Sequence, residues 1–275
     1  MRRGAVGGRP PLLLRPERRT AVLFLSLGRK LVRTMKNKDI FTFRDAEKQA
    51  GPVAFSTMLK PAGSACNLDC GYCYYLDKAA QYGGRQAVMA DDLLELYIRQ
   101  YIEANEVPVV TFCWHGGEPL LLGRDFYRRA VALQRKYAAG KRIENTLQTN
   151  GTLVDEAWCE LFAENGFLVG LSLDGPEDIH DAFRRTKGGR PTFARVMRTV
   201  GMFRRTGVEY NTLSVVNRAC EGRGAEIYRF FRDTVGSRYM QFLPAVEHVV
   251  DRAGLHRPLI VSPETQGARP AEWSV

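Results

Sequence analysis

Residues 143–175 read I-E-N-T-L-Q-T-N-G-T-L-V-D-E-A-W-C-E-L-F-A-E-N-G-F-L-V-G-L-S-L-D-G. Two short strand-like runs, 143–149 and 167–173, flank one helix-like run, 155–164, which opens on Asp155. Two strands joined through a helix run parallel, because the helix must carry the chain back to the starting edge. The same unit recurs in both directions. Strands are expected at 54–59, 109–114, 208–216 and 238–243, and helices at 91–104, 125–138, 192–205 and 225–233. Six strands alternating with helices define an α/β fold with a parallel sheet. The alternation alone leaves two closures open, a doubly wound open sheet and a barrel. After Pro244 it stops, in a stretch punctuated by Pro258, Pro263 and Pro270.

Composition narrows the function classes. The 275 residues carry a formal charge of +10, which raises the question of a nucleic-acid partner. The excess sits at one end. Residues 1–34 hold eight Arg and Lys30 against Glu17, whereas the rest of the chain has a balance of only +2. Nucleic acid is therefore not the expected partner. No apolar run approaches the roughly 18 residues that span a bilayer, so no membrane partner is expected either. Residues 1–34 are expected to be a basic, disordered extension, residues 52–246 a core domain and residues 247–275 an irregular tail. Three of the six cysteines fall within eight residues, which argues for a metal or cluster site in a reducing, cytoplasmic compartment rather than a disulfide framework.

The chemistry-bearing residues gather just past the strand ends: Cys66, Cys70 and Cys73 after the first, Gly116-Gly117-Glu118 after the second, Gln148-Thr149-Asn150 at the third, Ser172 and Asp174 at the fourth. Ligands of parallel α/β folds bind at the carboxyl ends of the strands, so these endings describe one pocket. C-N-L-D-C-G-Y-C is the sharpest signal. Three thiolates at this spacing wrap an iron–sulfur cubane and leave one iron open. The competing reading is zinc, which ordinarily takes four ligands; the nearest histidine, His115, lies 42 residues beyond Cys73.

This motif, together with W-H-G-G-E-P, L-Q-T-N-G-T-L, F-L-V-G-L-S-L-D-G-P and Y-M-Q-F-L-P, resembles the radical S-adenosylmethionine superfamily and, within it, the anaerobic sulfatase-maturating enzymes. The resemblance runs from about residue 52 onward. It implies a partial (β/α)6 TIM-like barrel, a 4Fe–4S cluster and S-adenosyl-L-methionine. It implies an oxidoreductase that makes a 5′-deoxyadenosyl radical and oxidises a Cys or Ser side chain of a sulfatase to Cα-formylglycine. It also implies a sulfatase polypeptide as substrate and a flavodoxin- or ferredoxin-type electron donor. By position, Cys66, Cys70 and Cys73 would hold the cluster, and Tyr72 would place its backbone near the adenine. Gly116 and Gly117 would make room for the methionyl amino group, Ser172 and Arg184 would bind the cofactor, and Val246 would line the adenine side.

Plainer readings stand beside these. Gly116-Gly117 is also a strand-end turn, Ser172 and Asp174 are turn caps at Gly175, and Gln148 and Asn150 satisfy turn backbone. Arg184 is also one solvated member of the pair Arg184-Arg185. Cys113, Cys159 and Cys220 are expected as small buried residues, and Tyr74 and Tyr75 as packing. The family continues into a cysteine-rich region with two auxiliary clusters and the aspartate that takes the substrate proton, whereas no cysteine follows Cys220 here. The expectation is a truncated form with no catalytic base, cleaving S-adenosylmethionine weakly and making no formylglycine. Rival readings are another peptide-modifying radical enzyme and an inactive cluster-binding remnant.

Overall fold

A computed structural model of the chain describes Pro52, residues 54–73, Tyr75 and residues 88–245, all within one unit, Pro52–Val275. The expected extension at 1–34, the tail at 247–275, and Tyr74 and Val246 lie outside the described residues. Six parallel strands stand in sequence order: β1 (Met58–Leu59), β2 (Val109–Trp114), β3 (Arg142–Thr149), β4 (Phe167–Ser172), β5 (Tyr210–Val216) and β6 (Met240–Pro244). Helices α1 (Asp91–Ala104), α2 (Arg124–Tyr137), α3 (Glu156–Glu164), α4 (Glu177–Phe183), α5 (Phe193–Thr206) and α6 (Gly224–Arg229) make the crossovers. Among the described residues β1 and β6 are the two sheet edges, so the curved sheet is open between them. None of these helices is long and apolar enough to cross a membrane.

Each strand shows why it sits here. On β2 the residues alternate, with Val110, Phe112 and Trp114 buried and Thr111 and Cys113 half-buried, the period of two that a two-faced sheet requires. The outer face packs on the helices through a chain of rings. Tyr101 of α1 meets Phe112 at 5.0 Å, Trp114 meets Tyr127 of α2 at 5.6 Å, Tyr127 meets Trp158 of α3 at 5.6 Å, and Phe162 meets Phe203 of α5 at 6.5 Å. Edge-to-face pairs of this kind each add about 0.5–1.5 kcal/mol beyond area burial. The inner face is more polar. Register puts Gln148, Gly170 and Asn211 in one row and Ser172, Leu213 and Gln241 in the next.

Where the elements depart from the sequence reading, local hydrogen bonds explain it. The first strand shrinks from six expected residues to two, because the Phe55 N–H is taken by the side-chain oxygen of Asn105 at 3.0 Å. Helix α4 was not anticipated; its signal is Pro176 followed by the acidic first turn Glu177-Asp178. The helix expected over 225–233 is α-helical only to Arg229 and then widens into a π-turn, Phe230–Val235. Cys159 and Cys220 are buried as expected, and Cys113 is half-buried on the inner face.

The ends of β2 and β3 are joined by one carboxylate. Glu118 is fully buried, and it accepts from Leu120 N (3.0 Å), Thr149 Oγ1 (2.8 Å) and Asn150 N (2.8 Å). Burial lifts its pKa from 4.5 to about 7. Between those values the folded chain holds a proton that the unfolded chain has lost. That contribution to stability is complete below about pH 4.5 and disappears as the pH climbs through 7. We expect thermal melts of the wild type to fall between pH 5 and pH 8, and those of Glu118→Gln to be flatter across this window. Glu118→Ala, which strands three buried donors, should lose about 3 kcal/mol or more at any pH. Equal pH slopes in wild type and Glu118→Gln would refute the assignment.

Candidate cofactor site at the strand ends

The cysteine loop, residues 63–73, has almost no secondary structure of its own and is held by neighbours on both sides. On the β2 side its backbone presses on two glycines. Gly117 N donates to Gly63 O at 2.9 Å, and Glu118 N donates to Ala65 O at 2.7 Å. A Cβ on Gly117 would stand 2.1 Å from the Ala65 carbonyl oxygen, so only glycine fits. Gly116 has φ +123°, a backbone region that side chains disfavour. The strand-end turn is thus present, and its glycines also make room for the cysteine loop.

From β3, Asn150 reaches across. Its Nδ2 donates to Asn67 Oδ1 at 2.9 Å, and its Oδ1 accepts from Thr152 N at 2.9 Å. Asn67 Nδ2 in turn donates to Thr152 Oγ1 at 2.8 Å. Asn150 therefore does satisfy turn backbone, as read from sequence, and it also pins the loop. Gln148 does something else: its Nε2 donates to Ser172 Oγ at 2.8 Å on the inner face.

The far side of the loop is paired with the segment after α4. Leu68 bridges Thr186, Asp69 N donates to Arg185 O at 2.8 Å, and Gly71 N donates to Phe183 O at 3.0 Å. Beneath these bonds lies a second buried carboxylate, Asp174. It takes Nε and Nη2 of Arg184 at 2.9 and 3.0 Å, Val215 N at 2.9 Å and the Tyr72 hydroxyl. The Arg184 guanidinium also lies 5.5 Å from the centre of the Tyr72 ring. The solvated reading of Arg184 is thus overturned: the residue is 8% exposed and ion-paired. A buried pair is tolerable where every remaining donor and acceptor finds a partner. Asp174 meets that condition, and it does more than cap a turn. His180 buttresses the pair from behind. Burial lowers its pKa to about 4, so it is neutral; its Nε2 contacts Thr192 Oγ1 at 3.0 Å, and that hydroxyl donates to the Arg184 carbonyl at 2.7 Å.

The three cysteines sit between these two carboxylates. Cys66 Sγ accepts from Leu68 N at 3.4 Å and faces Asn150 Nδ2 at 3.8 Å. N–H groups aimed at sulfur favour a thiolate and tune a cluster. Burial pushes the free Cys66 thiol up and the free Cys70 thiol to about 12, with Arg184 pulling Cys70 the other way. Sulfurs in this setting ionise only against a strong local positive charge, which a metal centre supplies. Among the described residues no three His, Cys, Asp or Glu side chains close around one ion. Three cysteines within one short loop suit a multi-iron cluster, whose thiolates bind different irons. The donor set therefore fits the group that the motif implies.

The structure brings the cysteine loop, Gly116, Gly117, Ser172 and Arg184, all singled out in the sequence, to the same strand ends. Sequence reasoning quoted Glu118 and gave it no role, and it missed Asn67 and His180. The available signal for Glu118 was an acid wedged between a glycine pair and Pro119 at a strand end.

Comparison with known proteins agrees with this geometry. The family model of the radical SAM superfamily matches residues 61–218. The serine-type anaerobic sulfatase-maturating enzyme of Bacteroides thetaiotaomicron is 46% identical over 194 residues, 70% of this chain and 47% of that protein. The cysteine-type enzyme of Clostridium perfringens is 37% identical, over 72% of this chain and 54% of that protein. The chain thus spans about half the length of the curated relatives it matches. Native anSMEcpe with bound AdoMet and Cp18Cys peptide superposes with a TM-score of 0.65 at 34% identity, covering 74% of this chain and 54% of that one. Streptococcus suis SuiB, bound to its precursor peptide SuiA, shares the fold alone, at a TM-score of 0.54 and 15% identity. The chain belongs to the radical SAM superfamily, and within it is homologous to the anaerobic sulfatase-maturating enzymes.

Proposed function

We propose that this chain is the radical-generating core of a protein that oxidises a Cys or Ser side chain of a sulfatase polypeptide to Cα-formylglycine. The observation that carries the reading is the three-cysteine loop, with N–H donors on Cys66 Sγ, clamped at the carboxyl-end mouth of a six-stranded parallel sheet. Homology to enzymes of both the serine and the cysteine type supports the substrate class.

Cys66, Cys70 and Cys73 would hold a 4Fe–4S cluster. When bound, that cluster and S-adenosylmethionine supply a 5′-deoxyadenosyl radical able to take a hydrogen from substrate. The protein's part is orientation. The N–H groups of Gly116 and Gly117 are committed to His115 Nδ1 and Gly63 O, which leaves their carbonyls to accept from a methionyl amino group. Ser172 Oγ already accepts from Gln148, so its own proton is left to donate to a carboxylate. Arg184 spends Nε and Nη2 on Asp174 and keeps Nη1 for the same carboxylate. Tyr72, fixed by Asp174, sets the backbone against which the adenine would lie.

Three outcomes test this reading. Anaerobic reconstitution should give about four irons with matching sulfide, and replacing Cys66, Cys70 and Cys73 by Ala should remove both; stoichiometric zinc without sulfide would reject it. Gly117→Ala should lose most of the cluster, because the Ala65 backbone must move, whereas Gly123→Ala, where a Cβ meets nothing within 4 Å, should keep it. With a reductant, S-adenosylmethionine and a sulfatase-derived peptide, the reconstituted chain should release 5′-deoxyadenosine, and Ser172→Ala should weaken cofactor binding about 10-fold. A reducible cluster with no 5′-deoxyadenosine would reject the radical chemistry.

A further inference from the structure

Between Asp181 and Glu209 the sequence has no acidic residue, yet it holds Arg184, Arg185, Lys187, Arg190, Arg195, Arg198, Arg204 and Arg205. Four of these eight are accounted for: Arg184 pairs with Asp174, Arg205 with Glu156, Arg204 donates to the Thr234 carbonyl, and Arg185 donates to the Gly189 carbonyl at 3.3 Å. The rest are exposed and take part in no ion pair among the described residues. Arg185, Lys187 and Arg190 stand on a short hairpin, closed by the Arg185–Pro191 bridge and by Gly189 N donating to Thr186 O at 2.8 Å. Arg195 lies in the first turn of α5, directly after it.

Arg185 helps close the hairpin, but Lys187, Arg190, Arg195 and Arg198 hold no other group among the described residues. A helix start carries a partial positive charge and favours acids, yet α5 has none in its first turn and places Arg195 there. The N–H groups of Thr192 and Phe193 are satisfied instead by Asp181 Oδ1, at 2.8 and 3.0 Å. The hairpin is also the element hydrogen-bonded to the cysteine loop, through Leu68–Thr186 and Asp69–Arg185. Asp69 and Gly71 of that loop are exposed. The acids of the cysteine loop and α4 are Asp69, Asp181, whose carboxylate holds the two backbone N–H groups, exposed Glu177, and Asp178, which is paired with Arg223.

We propose that the 185–190 hairpin and the first turn of α5 form the docking surface for an acidic electron-donor protein that reduces the cluster. The proposal rests on the cluster reading above and names where the electron enters. An electron-transfer partner needs a short path to the metal centre and a weak, quickly released complex steered by charge. A basic hairpin hydrogen-bonded directly to the ligand loop meets both needs. The donor gives up one electron and the oxidised cluster gains it; no bond forms or breaks. Nucleic acid is the weaker reading, since the patch is local and the chain beyond residue 34 has a balance of only +2.

The test uses the reconstituted chain and the variant Lys187→Glu/Arg190→Glu/Arg195→Glu. None of these side chains holds another group, and an acid at position 195 suits the helix start, so the variant should fold. Stopped-flow reduction by an acidic reduced flavodoxin should be at least about 10-fold slower in the variant at low salt, and the wild-type rate should fall steeply with ionic strength. Photoreduction with a deazaflavin, a small reductant with no docking surface, should proceed alike in both, with equal iron, sulfide and midpoint potential. An unchanged flavodoxin rate, or one insensitive to salt, would overturn the docking proposal and leave the cluster reading standing. A chain with no reducible cluster would overturn both. Tight binding of duplex DNA at physiological salt, lost in the variant, would reassign the patch to nucleic acid.

Discussion

The site depends on two buried carboxylates holding a loop that cannot hold itself. Residues 63–73 carry three thiols and one isolated bridge, so their backbone groups must look elsewhere for partners. Glu118 fixes one side: its main chain takes the Ala65 carbonyl, and its side chain locks the β3 end whose Asn150 reaches Asn67. Asp174 fixes the other through Tyr72 and Arg184. Each acid is wholly buried, and each has at least three donors. A carboxylate so placed is expensive to leave unpaired, so either all its partners assemble or the arrangement is lost. The loop inherits its order from that all-or-none character.

Burial then sets the electrostatics of the thiols. A free Cys70 thiol, pushed to about 12, is protonated at any physiological pH. Cys70 is therefore poorly suited to act as a free nucleophile, which needs a depressed pKa. It is well suited to be a sulfur that ionises on binding iron. The N–H of Leu68 and the amide of Asn150 stand ready on Cys66 to receive the charge.

The sheet was largely legible in the sequence, and the clamps were not. β2, β3 and β4, with α1, α2, α3 and α5, lie within two residues of the expected bounds, because their apolar periods are long and their ends are punctuated by Asp155, Gly166 and Gly207. β1 failed because alternation cannot tell a strand from an extended segment tied to a side chain, here Asn105. Helix α4 failed because it is short and its one buried stripe is interrupted by His180. Glu118 and Asp174 failed for a deeper reason. Acids are normally surface residues, and nothing local says that these two are enclosed. Only the packing of neighbouring strand ends shows it. Arg184 illustrates the same limit: beside Arg185 in sequence the two look alike, but one is buried against Asp174 and the other exposed.

That contrast also explains how charge is distributed around the site. Arg184 and Arg185 are one residue apart on an extended segment, so they point to opposite faces. The inward one joins Asp174, near where a cofactor carboxylate would lie; the outward one joins Lys187 and Arg190 on a hairpin facing solvent. One short segment thus ties an interior that orders the cysteine loop to an exterior of single-sign charge. A shift in the hairpin would be felt at Phe183 and Arg185, whose carbonyls hold the N–H groups of Gly71 and Asp69 on either side of Cys70. The loop and the basic surface are for this reason one mechanical unit.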